Sequence, residues 1–282
     1  MSTIQQRNSL RFYQGSIDEY EITTEKERQK YTSSFYTTKG AYNVLNMLLC
    51  PGMSSEYARI VEEKKNISIM IVQQVEEIFQ IYKDIFEIMC EDWRNGRNSQ
   101  YVYRIDRMQS REMLEAGYTF GFTSCSLNEE SGVKDEQLRK KSGLLLLEWM
   151  IPAGTPYVLI NEILGSNRFA YQNELLLPPF VSFKKRKELP FTKKELEYRD
   201  ANGKPPKAKY CLEITGMDLG LVEDKDKNFL RKDEIDFAVY VLEKLGSDKC
   251  ISDKEREQYG EWKCRLQSSV KDCFKSVYQR ER

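Results

Sequence analysis

The chain is 282 residues long and carries 44 Lys plus Arg against 44 Asp plus Glu. That length is enough for one large or two small domains with a buried core, and the balanced charge excludes a global field suited to nucleic acid or a membrane surface. Histidine is absent, which excludes Ser-His and Cys-His nucleophile pairs, His-ligated metals and imidazole bases.

Carboxylates, amides and arginines are left for any chemistry. The seven cysteines are odd in number and include no Cys-x-x-Cys pair, so neither a disulfide framework nor a metal site is expected. Reduced thiols in a cytosol are the expectation. The N-terminal stretch MSTIQQRNSLRFYQGS lacks the basic-then-apolar order of a signal peptide, and no window approaches the roughly 20 apolar residues of a membrane span. A cytoplasmic protein with no membrane partner, or one delivered by a specialised secretion route, is therefore expected.

In chain order, residues 1–34 read as polar and loose. GAYNVLNMLLC (40–50), stopped by Pro51 and Gly52, predicts a short buried helix. From Ile67 to Trp93, apolar residues recur at three and four, which predicts one long helix with Asn66 as its N-cap. After the polar turn RNGRNSQ come strand-length pieces: YVYRI, YTFGFTSCSL, GLLLLEWMIP, PYVLINEIL, ELLLPPFVSF and KYCLEITGM. They predict a mostly antiparallel sheet assembly after an N-terminal helical layer, an α+β fold.

Residues 184–209 form a basic insertion with ten Lys and Arg against four acidic residues. It reads either as a solvated connection or as a basic lip for a phosphate-bearing acceptor. Beyond Asp218 the chain is highly charged, with one amphipathic helix through Ile235, Val239, Leu242 and Leu245, closed by Gly246, and another over 253–282. The predicted division is a polar segment 1–34, a catalytic domain 35–216 (helical 35–100, β core 101–216) and a helical extension 217–282.

Three pieces carry the chemistry: YVYRI with Arg104, FTSCS with Ser124 and Ser126, and FAYQNELLLPP with Gln172 and Glu174. Strand alternation puts Gln172 and Glu174 on one face. Order and spacing resemble the Arg / Ser-x-Ser / Gln-x-Glu pattern of the mono-ADP-ribosyltransferases related to bacterial exoenzymes. The resemblance runs from the Tyr-rich stretch before Gly40 to Ile214. The middle motif, usually Ser-Thr-Ser, is Ser124-Cys125-Ser126 here, and Ile105 stands where many members have a glycine.

The resemblance implies two packed, mostly antiparallel sheets forming an NAD cleft, and NAD as co-substrate without a metal. Breaking the nicotinamide–ribose bond leaves an oxocarbenium-like cation that needs a nearby negative charge, which Glu174 supplies. Arg104 suits the pyrophosphate, because a guanidinium offers phosphate a fork of donors. Outside the pattern, Arg104 reads as the partner of a strand carboxylate. By resemblance, Ser124 and Ser126 hold the ribose and Glu174, while Ile105 and Arg168 lie against NAD.

Cys125 alternates to the opposite face from the two serines, as a core thiol. Gln172 offers one donor and one acceptor, which suits a neutral amide or a nucleobase edge. By resemblance, Phe169 joins Gln172 in acceptor recognition. The expected activity is transfer of ADP-ribose to a neutral nitrogen of a macromolecule, either a protein such as a small GTPase or a nucleic acid. A toxin, effector or defence role, with an antitoxin or activator on the C-terminal helices, fits that activity. NAD glycohydrolysis and a catalytically silent binding module are the alternatives.

Overall fold

The computed structural model describes residues 2–52, 55–93, 99–107, 111–128, 143–165, 173–220, 228–247 and 249–281. The chain divides into two compact units: Met1–Ile88 with Leu219–Arg282, and Met89–Asp218. The C-terminal helices thus group with the N-terminal ones, whereas the sequence division kept 217–282 apart and joined 35–100 to the β core.

The first unit is helical. Residues 1–34, expected to be loose, contain α1 (Ile4–Gln14) and α2 (Glu25–Tyr31). Both begin with a capping box, Thr3 with Gln6 and Thr24 with Glu27, in which side chain and backbone satisfy each other's orphan donors. Phe12, Tyr13 and Tyr31 of this stretch are core: Phe12 stacks on Phe35 at 5.0 Å and Tyr31 meets Tyr36 edge-on at 5.0 Å. Buried Asp84 accepts hydrogen bonds from Gln5, Ser9 and Gln80.

Next come α3 (Ala41–Leu48), as expected, then α4 (Ser55–Glu63), α5 (Lys65–Gln73) and α6 (Val75–Trp93). The single helix expected from Ile67 is therefore two, broken at Gln74 (φ −112°, ψ 32°), and the first begins at Lys65 with Lys64, not Asn66, at the N-cap position. The break follows the β-branched pair Ile71-Val72, whose stiff side chains are weak helix formers. A second helical layer comes from α9 (Lys232–Leu245) and α10 (Asp253–Glu281).

On α10, Trp262, Leu266, Val270, Phe274 and Val277 are buried at helical spacing. Phe274 stacks on Phe86 at 4.0 Å. Removing either ring costs about 3–5 kcal/mol. No helix among the described residues is long and apolar enough to cross a membrane.

The second unit holds the sheet. Its strands are β1 (Gln100–Arg107), β2 (Thr123–Ser126), β3 (Leu144–Ile151), β4 (Val158–Leu159), β5 (Glu174–Leu177), β6 (Val181–Glu188) and β7 (Ala208–Met217). Helix α7 (Arg111–Ala116) follows β1. The piece PYVLINEIL, expected as strand, is strand only at β4 and then turns into the short helix α8 (Ile160–Leu164).

The described strands form one mixed seven-stranded sheet, in the order β4-β5-β2-β1-β3-β7-β6, where two packed sheets were expected. They join because β1 pairs with β2 on one side and with β3 on the other. The β3–β7 pair is parallel and the others are antiparallel. One face carries the core, with Val102, Cys125, Leu147, Trp149, Leu175 and Leu212 among its members. Trp149 meets Phe183 edge-on at 5.0 Å.

Candidate active site

β5 reads Glu-Leu-Leu-Leu and is buried at all four positions, as for a strand covered on both faces. Glu174 is its one polar residue and is only 8% exposed. A buried carboxylate at the head of an apolar strand needs polar company. Ser126 stands directly opposite Glu174 across the β2–β5 pair, and Ser124 stands opposite Leu176. Directly opposed residues share a face, so Ser124, Ser126 and Glu174 form one polar cluster.

The strand ends around this cluster are pinned. Leu127 N–H donates to the Asn173 carbonyl at 3.1 Å, and Asn128 N–H donates to Ser126 Oγ at 3.0 Å. At the other end of β5, Phe180 adopts φ 63°, rare for a bulky side chain. Its ring is buried, its N–H donates to the Thr119 carbonyl at 2.8 Å, and the Thr119 hydroxyl accepts from Val181 N–H at 3.0 Å. Those bonds hold the Pro178–Pro179 turn and so fix the register of β5.

Asn173 has φ 45°, in the left-handed region. Strand alternation therefore begins at Glu174 and does not extend backward through Asn173. Gln172, Phe169 and Arg168 lie outside the described residues, as do 129–142 beyond the β2 end.

β1 meets β2 with Tyr103 opposite Ser126. Tyr103 and Ile105 therefore share the face of Ser126 and Glu174, while Arg104 alternates to the face of Cys125. The Arg104 guanidinium, 31% exposed, donates to Asp106 at 2.9 Å and to the Ser124 carbonyl at 2.6 Å. It thus ties β1 to β2 and carries the strand-carboxylate pairing that is its reading outside the pattern. Asp106, two residues on and on the same face, went unremarked in the sequence, although i, i+2 spacing in a strand was signal enough.

Burial pushes the Cys125 thiol up to about 12, with Asp106 and Glu174 adding to the shift and Arg104 opposing it. Opposite charges thus reach one thiol on β2. Cys125 is buried in the core cluster, and a thiol held protonated is no nucleophile at neutral pH.

A small cavity of about 20 Å3 lies against β1 and β3, lined among others by Tyr103, Arg104, Ile105, Leu146 and Tyr198. It has room for about one water molecule. Lys209 is buried next to it and pairs with Glu195 at 2.6 Å and Glu148 at 3.8 Å. This pair fastens the basic insertion onto the sheet; burial of Glu195 could not be read from a charge-rich stretch. Among the described residues no group of three or more Cys, Asp or Glu is arranged to hold a metal ion.

No family model matches the chain, and no curated protein does. Solved structures do resemble it at low identity. Plx2a, an ADP-ribosyltransferase toxin from Paenibacillus larvae, is 13% identical over 76% of this chain and 95% of its own, with a TM-score of 0.35. An ADP-ribosyltransferase from Clostridium botulinum is 14% identical over 69% of this chain and 97% of its own, with a TM-score of 0.32. The C3 exoenzyme of Clostridium limosum is 12% identical over 76% of this chain and 96% of its own, with a TM-score of 0.31.

Proposed function

We propose that the chain is an NAD-dependent mono-ADP-ribosyltransferase that releases nicotinamide and moves ADP-ribose to a neutral nitrogen of a macromolecule. The observation that carries this reading is the Ser126–Glu174 pair on adjacent strands, with Arg104 on the next strand bonded to the Ser124 carbonyl. Three motifs far apart in sequence are thereby neighbours on β1, β2 and β5.

The residues present suit NAD. Glu174, buried beside two hydroxyls, supplies fixed negative charge where the ribose becomes cationic as its bond to nicotinamide breaks, and a preorganised charge in a water-poor site is worth more than the same charge in water. Ser124 and Ser126 offer hydroxyls that donate to a carboxylate or accept from a ribose hydroxyl. Arg104 carries a planar fork of donors that suits a pyrophosphate, but it stands on the face opposite Glu174 and is bonded to Asp106 and the Ser124 carbonyl, so NAD has to draw it away from both.

Gln172 is assigned to acceptor selection with Phe169, and Arg168 to NAD. A neutral nitrogen attacks with its own lone pair and sheds its proton to solvent, so a chain without histidine lacks nothing the reaction needs. A toxin, effector or defence enzyme is the role this activity serves.

The test is incubation with adenylate-labelled NAD, alone and with cell lysate. Label joined to protein or nucleic acid is expected, with slow nicotinamide release when no acceptor is present. Rapid nicotinamide release from NAD alone, with no labelled macromolecule, would overturn transfer in favour of glycohydrolysis.

A further inference from the structure

Folding sharpens the basic insertion. Of its ten Lys and Arg residues all but Lys209 are exposed, whereas of its four carboxylates only Glu188 and Glu197 face solvent. Glu195 is buried against Lys209, and buried Asp200 accepts from the N–H groups of Gly143, Asn202 and Lys204. The surface left to solvent is more strongly positive than the sequence count.

The first five residues of the insertion, Lys184 to Glu188, are exposed and lie on β6, at the edge of the sheet. Lys184 stands opposite Glu213 and Lys187 opposite Cys211, with Arg186 as the extra residue of a bulge. Three apart in an unbroken strand, Lys184 and Lys187 would point to opposite faces. The bulge turns both to the same face.

That face is the one with the candidate site. Lys187 pairs with Cys211, Cys211 with Glu148, Glu148 with Tyr103, Tyr103 with Ser126, and Ser126 with Glu174. One cross-strand row thus runs from the edge lysine to the carboxylate. Its length is five inter-strand steps, about 24 Å at about 4.8 Å each.

Charge on an edge strand also prevents edge-to-edge aggregation, but either sign does that. Four of the five charges on this stretch are positive, with Glu188 closing the run and Arg186 paired to Glu213, and that positive excess in a chain whose charges balance points to an anionic partner. A free phosphate or nucleotide does not reach from β6 to Glu174, whereas a polymer does. A base offers its edge to such a site only when it is unstacked, which a single strand permits.

We infer that the exposed face of β6 is a docking strip for the phosphates of a single-stranded nucleic acid whose target base lies at Glu174; the second half of this inference rests on the transferase reading. The test is fluorescence anisotropy of a labelled single strand of about 16 nucleotides with the full chain and no NAD, between about 50 and 200 mM salt. Binding that weakens with salt is expected, with a loss of about tenfold or more in a Lys184→Glu/Lys187→Glu variant. A Lys26→Glu/Lys254→Glu control on the helical unit should stay within about twofold. With no NAD present, failure of the transferase reading leaves these outcomes unchanged. No binding, equal losses in both variants, or polyglutamate binding as tightly as the oligonucleotide would overturn the inference.

Discussion

Ser126 and Glu174 face each other across adjacent antiparallel strands, with the carboxylate almost fully withdrawn from solvent. On the proposed transferase reading, Ser126 acts through the carboxylate that it stands opposite. Ser126→Ala is predicted to lower kcat about tenfold, the scale of one hydrogen bond to a charged group, about 1.5 kcal/mol. Steady-state kinetics with NAD check it; a rise in KM alone, with kcat unchanged, would assign Ser126 to uniform binding instead.

Arg104 is divided between Asp106, the Ser124 carbonyl and its proposed pyrophosphate ligand. Lysine retains the charge but loses the planar fork. Arg104→Lys is predicted to raise KM for NAD about tenfold, with kcat within about threefold of wild type. The converse split, a fall in kcat at constant KM, would place Arg104 at the transition state.

Lys209 and Glu195 form a buried pair that clamps the basic insertion. Leaving one partner alone in the interior costs more than removing both. Lys209→Met and Glu195→Gln are each predicted to destabilise the protein by about 3 kcal/mol, and the double variant by clearly less than their sum. Urea denaturation of the four proteins measures this; additivity would show that the pair is not coupled.

Lys263 is fully buried in the helical unit, donating to the Gly52 carbonyl at 2.8 Å and lying 4.0 Å from the Tyr57 ring centroid. Burial lowers its ammonium to about 8. Below about pH 8 both folded and unfolded chains carry the proton and the full burial cost is present. From about pH 8 towards 10 the folded state releases it first, so stability rises with pH. At about 1.36 kcal/mol per pKa unit the whole difference is worth about 3 kcal/mol. Above that window the buried phenols of Tyr57, Tyr82 and Tyr259, all pushed up by burial, reverse the trend. Thermal melts of wild type and Lys263→Met should show the rise between about pH 8 and 10 only in wild type. A parallel rise in both would contradict the assignment to Lys263.

Much of the second unit was legible locally. β1, β3 and β7 follow runs of apolar and aromatic residues, and the head of β5 stood out because one glutamate precedes three leucines. The register was not legible, because pairing Tyr103 with Ser126 or Lys187 with Cys211 depends on residues far apart in sequence. Arg104 shows the consequence: its motif neighbourhood was readable, its alternation to the Cys125 face was not. The helices of residues 1–34 were missed for a different reason. Thr3 with Gln6 and Thr24 with Glu27 are short-range signals, overshadowed by the polarity of the stretch they cap.

The central claim is that Glu174 stabilises the ribose cation, and its most direct measurement is ADP-ribose transfer by Glu174→Gln. The substitution keeps shape and removes charge. With an unchanged melting temperature, the variant is predicted to transfer label from NAD at least about 100-fold more slowly than wild type. Transfer at the wild-type rate would contradict the account.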